Sequence, residues 1–114
     1  MNRTITQARF NKEVMACRRL SLVHFRTEWS GACQIINPVY EDLARSYQGI
    51  ADFFSIDGER ERGVAATFGV QEYPTILFFR NGELVDHAVG LIARNALITK
   101  IENALTGIRA GNNL

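Results

Sequence analysis

Two cysteines and two histidines are the side chains of this sequence that could carry nucleophilic, redox or metal chemistry. They are Cys17, Cys33, His24 and His87. A cysteine reacts as its thiolate, and a single reactive thiol can form a mixed disulfide with glutathione or with a protein partner. A zinc site would need about four ligands, and the sequence contains no C-x-x-C or H-x-x-x-H pattern. We therefore expect no metal and no cofactor, and we place any chemistry on a thiol.

Cys33 follows Ser30 by three residues, near the start of a predicted helix. Serine is a favoured N-cap residue, because its hydroxyl accepts a hydrogen bond from an amide of the first turn, here that of Ala32 or Cys33. An alcohol cannot form a disulfide, and without a strong base it is a poor nucleophile. The spacing predicts that Ser30 caps the helix. The alternative is a hydroxyl that donates to a bound partner.

Apolar periodicity predicts the elements that position these residues. Strands are expected at Arg3–Ile5, Leu20–Phe25, Ile50–Ile56, Thr75–Phe79 and Leu84–Val89. Helices are expected after Thr6 (with Phe10, Val14 and Cys17 on one face), from about Ala32 to Tyr47, around Val64–Phe68 before Gly69, and around Leu97–Leu105. Thr6 is the predicted cap of the first helix, and Pro38 falls inside the second.

The order of these elements predicts an α/β sandwich, with a central mixed sheet of four or five strands flanked by four helices on both faces. Asn81-Gly82 is typical of a two-residue hairpin turn, which makes the last two strands antiparallel. We expect one domain over residues 1–106 and a short polar tail over residues 107–114.

The composition is that of an ordinary globular domain, with 114 residues, 46% hydrophobic and 22% charged. Its 13 basic and 12 acidic residues give a net charge of +1, which offers no electrostatic reason to expect nucleic acid or an anionic membrane as partner. No run approaches the ~20 apolar residues of a membrane span, and the N-terminal segment lacks the apolar run of a signal peptide. We expect a cytoplasmic monomer whose cysteines need not form a disulfide.

Several motifs in order resemble the thioredoxin family. The stretch from Val23 to Cys33 is similar to that family's strand and active-site loop, V-D-F-W-A-x-W-C-G-P-C. Tyr73-Pro74-Thr75 resembles its cis-proline loop, Asn81-Gly82-Glu83 its hairpin, and Val89-Gly90 the glycine beside its substrate groove. The resemblance is collinear over about residues 5–105 and implies the thioredoxin fold, with Pro74 after a cis peptide bond.

The departures from the family pattern fall on its chemical positions. The first motif cysteine, which attacks a substrate disulfide in the family, is Ser30 here, and the motif proline is Ala32. The resemblance implies that His24 takes the position of the family's buried aspartate and Phe53 that of a modulating lysine. Only the resolving thiol, Cys33, remains. We predict that this chain lacks dithiol exchange by the family's mechanism.

The resemblance also implies that His24 lies beneath the motif helix, near Cys33. A thiol beside an imidazole can become a reactive thiolate, whereas burial disfavours the imidazolium and raises a thiol's pKa. Two interpretations stay open: a neutral, hydrogen-bonded core histidine beside a packing cysteine, or a functional pair. Cys17 is expected to be an apolar face residue too far from Cys33 to bridge it, and His87 a surface residue.

The positions that line the family's substrate groove match the family pattern better than the chemical positions do. The resemblance assigns them to Trp29, Gly31, Ala32, Tyr73, Pro74 and Gly90. In the family, the backbone before the cis-proline pairs with an extended polypeptide. Two functions follow: a redox-silent or redox-weak protein that binds a polypeptide in this groove, or a single-thiol disulfide or glutathione-linked oxidoreductase that uses Cys33 in cell redox homeostasis. Inheritance without selection is a third explanation, since Pro74 and Gly90 also shape the fold.

Overall fold

A computed structural model describes residues 2–107, so that most of the predicted polar tail, residues 108–114, lies outside the described part. Its strands are β1 Asn2–Thr4, β2 Ser21–Arg26, β3 Asp52–Asp57, β4 Thr75–Arg80 and β5 Glu83–Val89. Its helices are α1, which is α-helical over Gln7–Phe10 and π-helical over Asn11–Met15, α2 Gly31–Ser46, α3 Arg62–Thr67 and α4 Arg94–Leu105. The predicted element order is confirmed.

The strands form one five-stranded mixed sheet in the order β1-β3-β2-β4-β5. The first three strands run parallel, while β4 is antiparallel to both β2 and β5. In this register His24 of β2 lies opposite Ser55 of β3 and Ile76 of β4. The central strand β2 is therefore hydrogen-bonded on both sides, as its mostly apolar sequence predicts.

Alternate residues of β2 enter two separate apolar cores, because successive side chains of a strand point to opposite faces. Leu22 packs with Ile36 and Tyr40 of α2 and with Ile101 of α4. On the other face the core contains Val23, Phe25, Phe10 of α1, Val64 of α3 and Phe79 of β4. Helices cover both faces of the sheet, which confirms the predicted sandwich.

Thr6 occupies the N-cap position of α1, as predicted, but its side chain makes no capping hydrogen bond. The Glu61 carboxylate accepts instead from the Gln7 amide at 2.8 Å. In return, the Gln7 side-chain oxygen accepts from the Val64 amide at 2.8 Å, inside the first turn of α3. The two short helices thus satisfy each other's N-terminal amides, which a local sequence pattern does not reveal.

The start of β3 and the setting of Cys17 also differ from expectation. The strand begins at Asp52 rather than Ile50, because Gly49, at φ +84°, turns the chain and leaves Ile50 exposed. The partly buried Cys17 follows the end of α1 and donates its thiol hydrogen to Asp52 at 3.3 Å. Its side chain therefore makes a polar contact instead of lying on an apolar helix face.

Candidate functional site

Ser30 is the N-cap of α2, as predicted. Its Oγ accepts a hydrogen bond from the Cys33 amide at 3.1 Å and donates to the Tyr73 carbonyl at 3.3 Å. No imidazole or carboxylate of residues 2–107 is hydrogen-bonded to this hydroxyl. The Ser30 proton is thus directed at a main-chain carbonyl and not at a base, so the contacts do not activate the oxygen as a nucleophile.

Cys33 lies in the first turn of α2 and is 1% exposed. Both cysteines are free thiols. Because Cys33 is buried, a reagent reaches its sulfur only if the surrounding residues move. The structure places this thiol at the start of α2 but closes it to solvent.

His24 is fully buried on β2, with its ring 4.9 Å from that of Tyr40 between centroids. Burial, together with the nearby Arg26 cation, lowers the pKa of His24 to about 4. This lowered pKa agrees with the neutral core histidine, the first of the two interpretations. The predicted hydrogen bonding is wrong, because neither ring nitrogen has a partner among residues 2–107.

No hydrogen bond joins the His24 imidazole to the Cys33 thiol within the described residues. The hydroxyl of the neighbouring Tyr40 lies 2.7 Å from the Phe54 carbonyl oxygen and 3.1 Å from that of Leu22. Phe53 is also buried, with its ring 5.2 Å from that of Tyr40. An apolar aromatic cluster thus stands beneath α2 where the family has a buried polar pair.

The segments that carry Gly31, Tyr73, Pro74 and Gly90 meet in one region at the start of α2, in which Pro74 itself is buried. The Tyr73–Pro74 peptide bond is cis, and the Pro74 carbonyl accepts from the Gly90 amide at 2.7 Å. Together with the contact between Ser30 and Tyr73, these bonds tie the motif loop, the proline loop and the end of β5 together. Trp29 directly precedes Ser30 in the sequence and has 83% of its surface exposed.

Two residues of this region were missed from the sequence, Gly58 and Leu91. A Cβ on Gly58 would lie 2.2 Å from the Tyr73 hydroxyl oxygen, so the Tyr73 ring rests directly on this glycine. The pKa of Tyr73 is raised by partial burial and by the nearby Glu59 and Asp57 carboxylates. Leu91 is 55% exposed immediately after Gly90. The sequence offered one signal for each of these residues. Gly58 is a glycine in the charged turn after β3, and Leu91 is an apolar residue directly after Gly90.

The described part of the chain contains neither a metal-ligand group nor a membrane-spanning helix. Among residues 2–107, no group of three or more histidine, cysteine, aspartate or glutamate side chains could hold a metal ion. Within the same range, no helix combines the length and apolar character needed to cross a membrane.

Comparison with known sequences decides the family. Residues 2–103 match the sequence model of the family described as thioredoxin. This chain belongs to the thioredoxin family. It is similar to the thioredoxin of Staphylococcus haemolyticus, with 34% identity over 101 residues that cover 89% of this chain and 95% of the relative.

Two further thioredoxins show how much of a relative the match spans. The thioredoxin of Rickettsia felis is 28% identical over 105 residues, which are 92% of this chain and all of that protein. The chloroplastic M-type thioredoxin of Zea mays is 35% identical over 89 residues, 78% of this chain and 53% of the maize protein. The chain thus spans about half the length of the chloroplastic relative.

Proposed function

We propose that this thioredoxin-family protein is redox-silent or redox-weak and binds an extended polypeptide in the groove between Trp29 and the Tyr73-Pro74 loop. The observation that carries the proposal is the Ser30 oxygen at the start of α2, which accepts from the Cys33 amide and donates to the Tyr73 carbonyl. Dithiol exchange needs an attacking sulfur and a resolving sulfur. Because oxygen replaces sulfur at the first position, the residue there cannot attack a substrate disulfide, whether Cys33 is reduced or oxidised.

The groove itself supports a binding role. Trp29 and Leu91 are large apolar side chains with more than half of their surface exposed. An exposed indole has a broad apolar face and one N–H donor, which suits contact with a polypeptide. An extended segment laid along the Tyr73 backbone would add main-chain hydrogen bonds to these apolar contacts.

The activity half of the proposal is tested by insulin reduction with dithiothreitol. We expect no acceleration by the wild-type protein above the rate with dithiothreitol alone, and a clear acceleration by Ser30→Cys, which restores two thiols three residues apart. Cys17→Ser is the matched control, because it changes the other thiol and should leave the background rate unchanged. Acceleration by the wild-type protein would refute the redox-silent assignment.

The binding half is tested with the fluorescence of Trp29, the single tryptophan of the chain. Titration with an acetylated heptapeptide of sequence GSVLVSG should give a saturable change in emission. A matched peptide with proline at each apolar position should give none, because proline lacks the amide that pairs with an extended backbone. Equal responses to both peptides would contradict strand-like binding.

A single-thiol oxidoreductase is the second candidate, and the position of Cys33 in the first turn of α2 favours it. In this reaction the Cys33 thiolate attacks oxidised glutathione, forms a mixed disulfide and releases one glutathione thiolate. The rate of Cys33 modification against pH, measured in Cys17→Ser, separates the candidates. A fast reaction with an apparent pKa well below ~8.5 supports the enzyme, whereas reaction only on unfolding supports the binding protein.

A reducing compartment and a monomeric state complete the proposal. Both cysteines are free thiols, which agrees with the reduced cytoplasm. Light scattering at increasing concentration should give the mass of one chain.

A further inference from the structure

A cavity lies beside the groove, on the face of the sheet that α1 and α3 cover. It has a volume of about 380 Å³ and opens between β4, β5 and the loop that follows α3. Its walls are mainly apolar and include Phe68, Val70, Leu77, Leu84 and Val89. Leu84 and Val89 are 42% and 53% exposed, so this part of the sheet is open to solvent.

Glu72 stands where this cavity meets the groove. Its Oε2 atom lies 4.0 Å from the position that a Cβ on Gly90 would occupy, and its side chain also lines the cavity. The Thr75 hydroxyl donates to the Glu72 carbonyl at 2.7 Å, which holds this turn in place directly before the Tyr73-Pro74 bond. The Glu72 carboxylate is therefore shared between the groove and the cavity.

The charge of this carboxylate is not balanced by any basic side chain among the described residues. Glu72 forms no ion pair among residues 2–107, and no lysine or arginine lines the cavity. The remaining polar groups on its walls are those of Gln71, Thr75 and His87. An open cavity with apolar walls on one part and a carboxylate unpaired among the described residues matches a side chain that has an aliphatic stem and a cationic head.

We propose that this cavity is a second subsite for the bound polypeptide and takes a lysine or arginine side chain. The aliphatic stem packs against Val89, and the cationic head pairs with Glu72. The proposal rests on the polypeptide-binding function above and specifies its partner as a segment with a basic residue next to the part held in the groove. This charge preference arises outside the motif loop and is independent of Ser30 and Cys33.

The cavity is tested first with small probes of equal length, followed by amide chemical shifts in NMR spectra. Hexylammonium should shift the signals of residues 70, 84, 87 and 89, whereas hexanoate should not, and hexanol should bind more weakly than the amine. Glu72→Gln should weaken hexylammonium about threefold, the size expected for an exposed ion pair. Glu102→Gln is the matched control, since it makes the same charge change on α4 and keeps an acceptor for Tyr47. Equal binding of amine and alcohol, or no effect of Glu72→Gln, would overturn the cation site.

The link to the groove is tested with the heptapeptide GSVLVSG extended at either end by lysine or by glutamate. The lysine form at one end should bind more tightly than both the unextended and the glutamate peptides, with the gain lost in Glu72→Gln and kept in Glu102→Gln. If all peptides bind equally, the groove function stands and this proposal fails. If no peptide changes the Trp29 emission while hexylammonium still binds, the groove function fails and the cavity is no subsite of it.

Discussion

The buried imidazole of His24 should make the protein lose stability in mild acid. The pKa of His24 is lowered from 6.5 to about 4 in the folded protein. Between these pH values the imidazole is therefore protonated in the unfolded chain but not in the folded protein. Stability is therefore complete above pH 6.5 and falls as the pH decreases towards 4. The whole difference of about 2.5 pKa units corresponds to ~3.4 kcal/mol, of which ~2 kcal/mol is lost between pH 7.5 and 5.0. That is a large share of the ~5–15 kcal/mol by which a domain is stable.

Urea unfolding followed by far-ultraviolet circular dichroism measures this loss, because helix and strand content reports on the whole fold. We expect the free energy of unfolding to fall by ~2 kcal/mol from pH 7.5 to 5.0 in the wild-type protein, and by much less in His24→Leu. His87→Gln is the matched control, since His87 is exposed and its removal should leave the loss intact. An undiminished loss in His24→Leu would refute the assignment of acid sensitivity to His24.

Three further changes test the local contacts. Ser30→Ala removes the acceptor of the Cys33 amide and should lower the free energy of unfolding by ~1 kcal/mol, as read from urea midpoints, and an unchanged midpoint would contradict the cap. Gly58→Ala brings a Cβ to 2.2 Å from the Tyr73 hydroxyl oxygen and should cost ~1–3 kcal/mol, with most of the loss recovered when Tyr73→Val is added. Without that recovery in thermal melts, the clash is not the cause. Gln7→Ala removes the acceptor of the Val64 amide and should cost ~1 kcal/mol, whereas Gln7→Glu, which keeps an acceptor oxygen, should cost less.

Features that depend on neighbouring residues could be predicted from the sequence. Asn81 and Gly82 have φ values of 53° and 74°, as a two-residue hairpin turn of their type requires. Ser30 caps α2 through an amide only three residues away. In both cases the residues that determine the local structure lie within a few positions of one another. A short sequence pattern therefore contains all the information that the prediction needs.

Features that depend on distant residues could not be predicted, because a short sequence pattern does not contain the partner residue. The partner of the Gln7 amide is Glu61, far along the sequence, so Thr6 was the only cap that local reasoning could offer. The predicted hydrogen bond of His24 is wrong because the ring that packs against the imidazole, that of Tyr40, directs its hydroxyl to main-chain carbonyls. The contact of Tyr73 with Gly58 and the approach of Glu72 to Gly90 also join residues that no repeating sequence pattern connects.

The exchange of caps between α1 and α3 couples two elements that could not persist separately. The α-helical part of α1 has four residues and α3 has six, both far below the ~12 or more that an isolated helix needs. Because Gln7 and Glu61 each complete the other helix, opening one end exposes amides at both. We expect their amide protons to exchange with solvent at a common rate, as one cooperative unit that opens independently of the sheet.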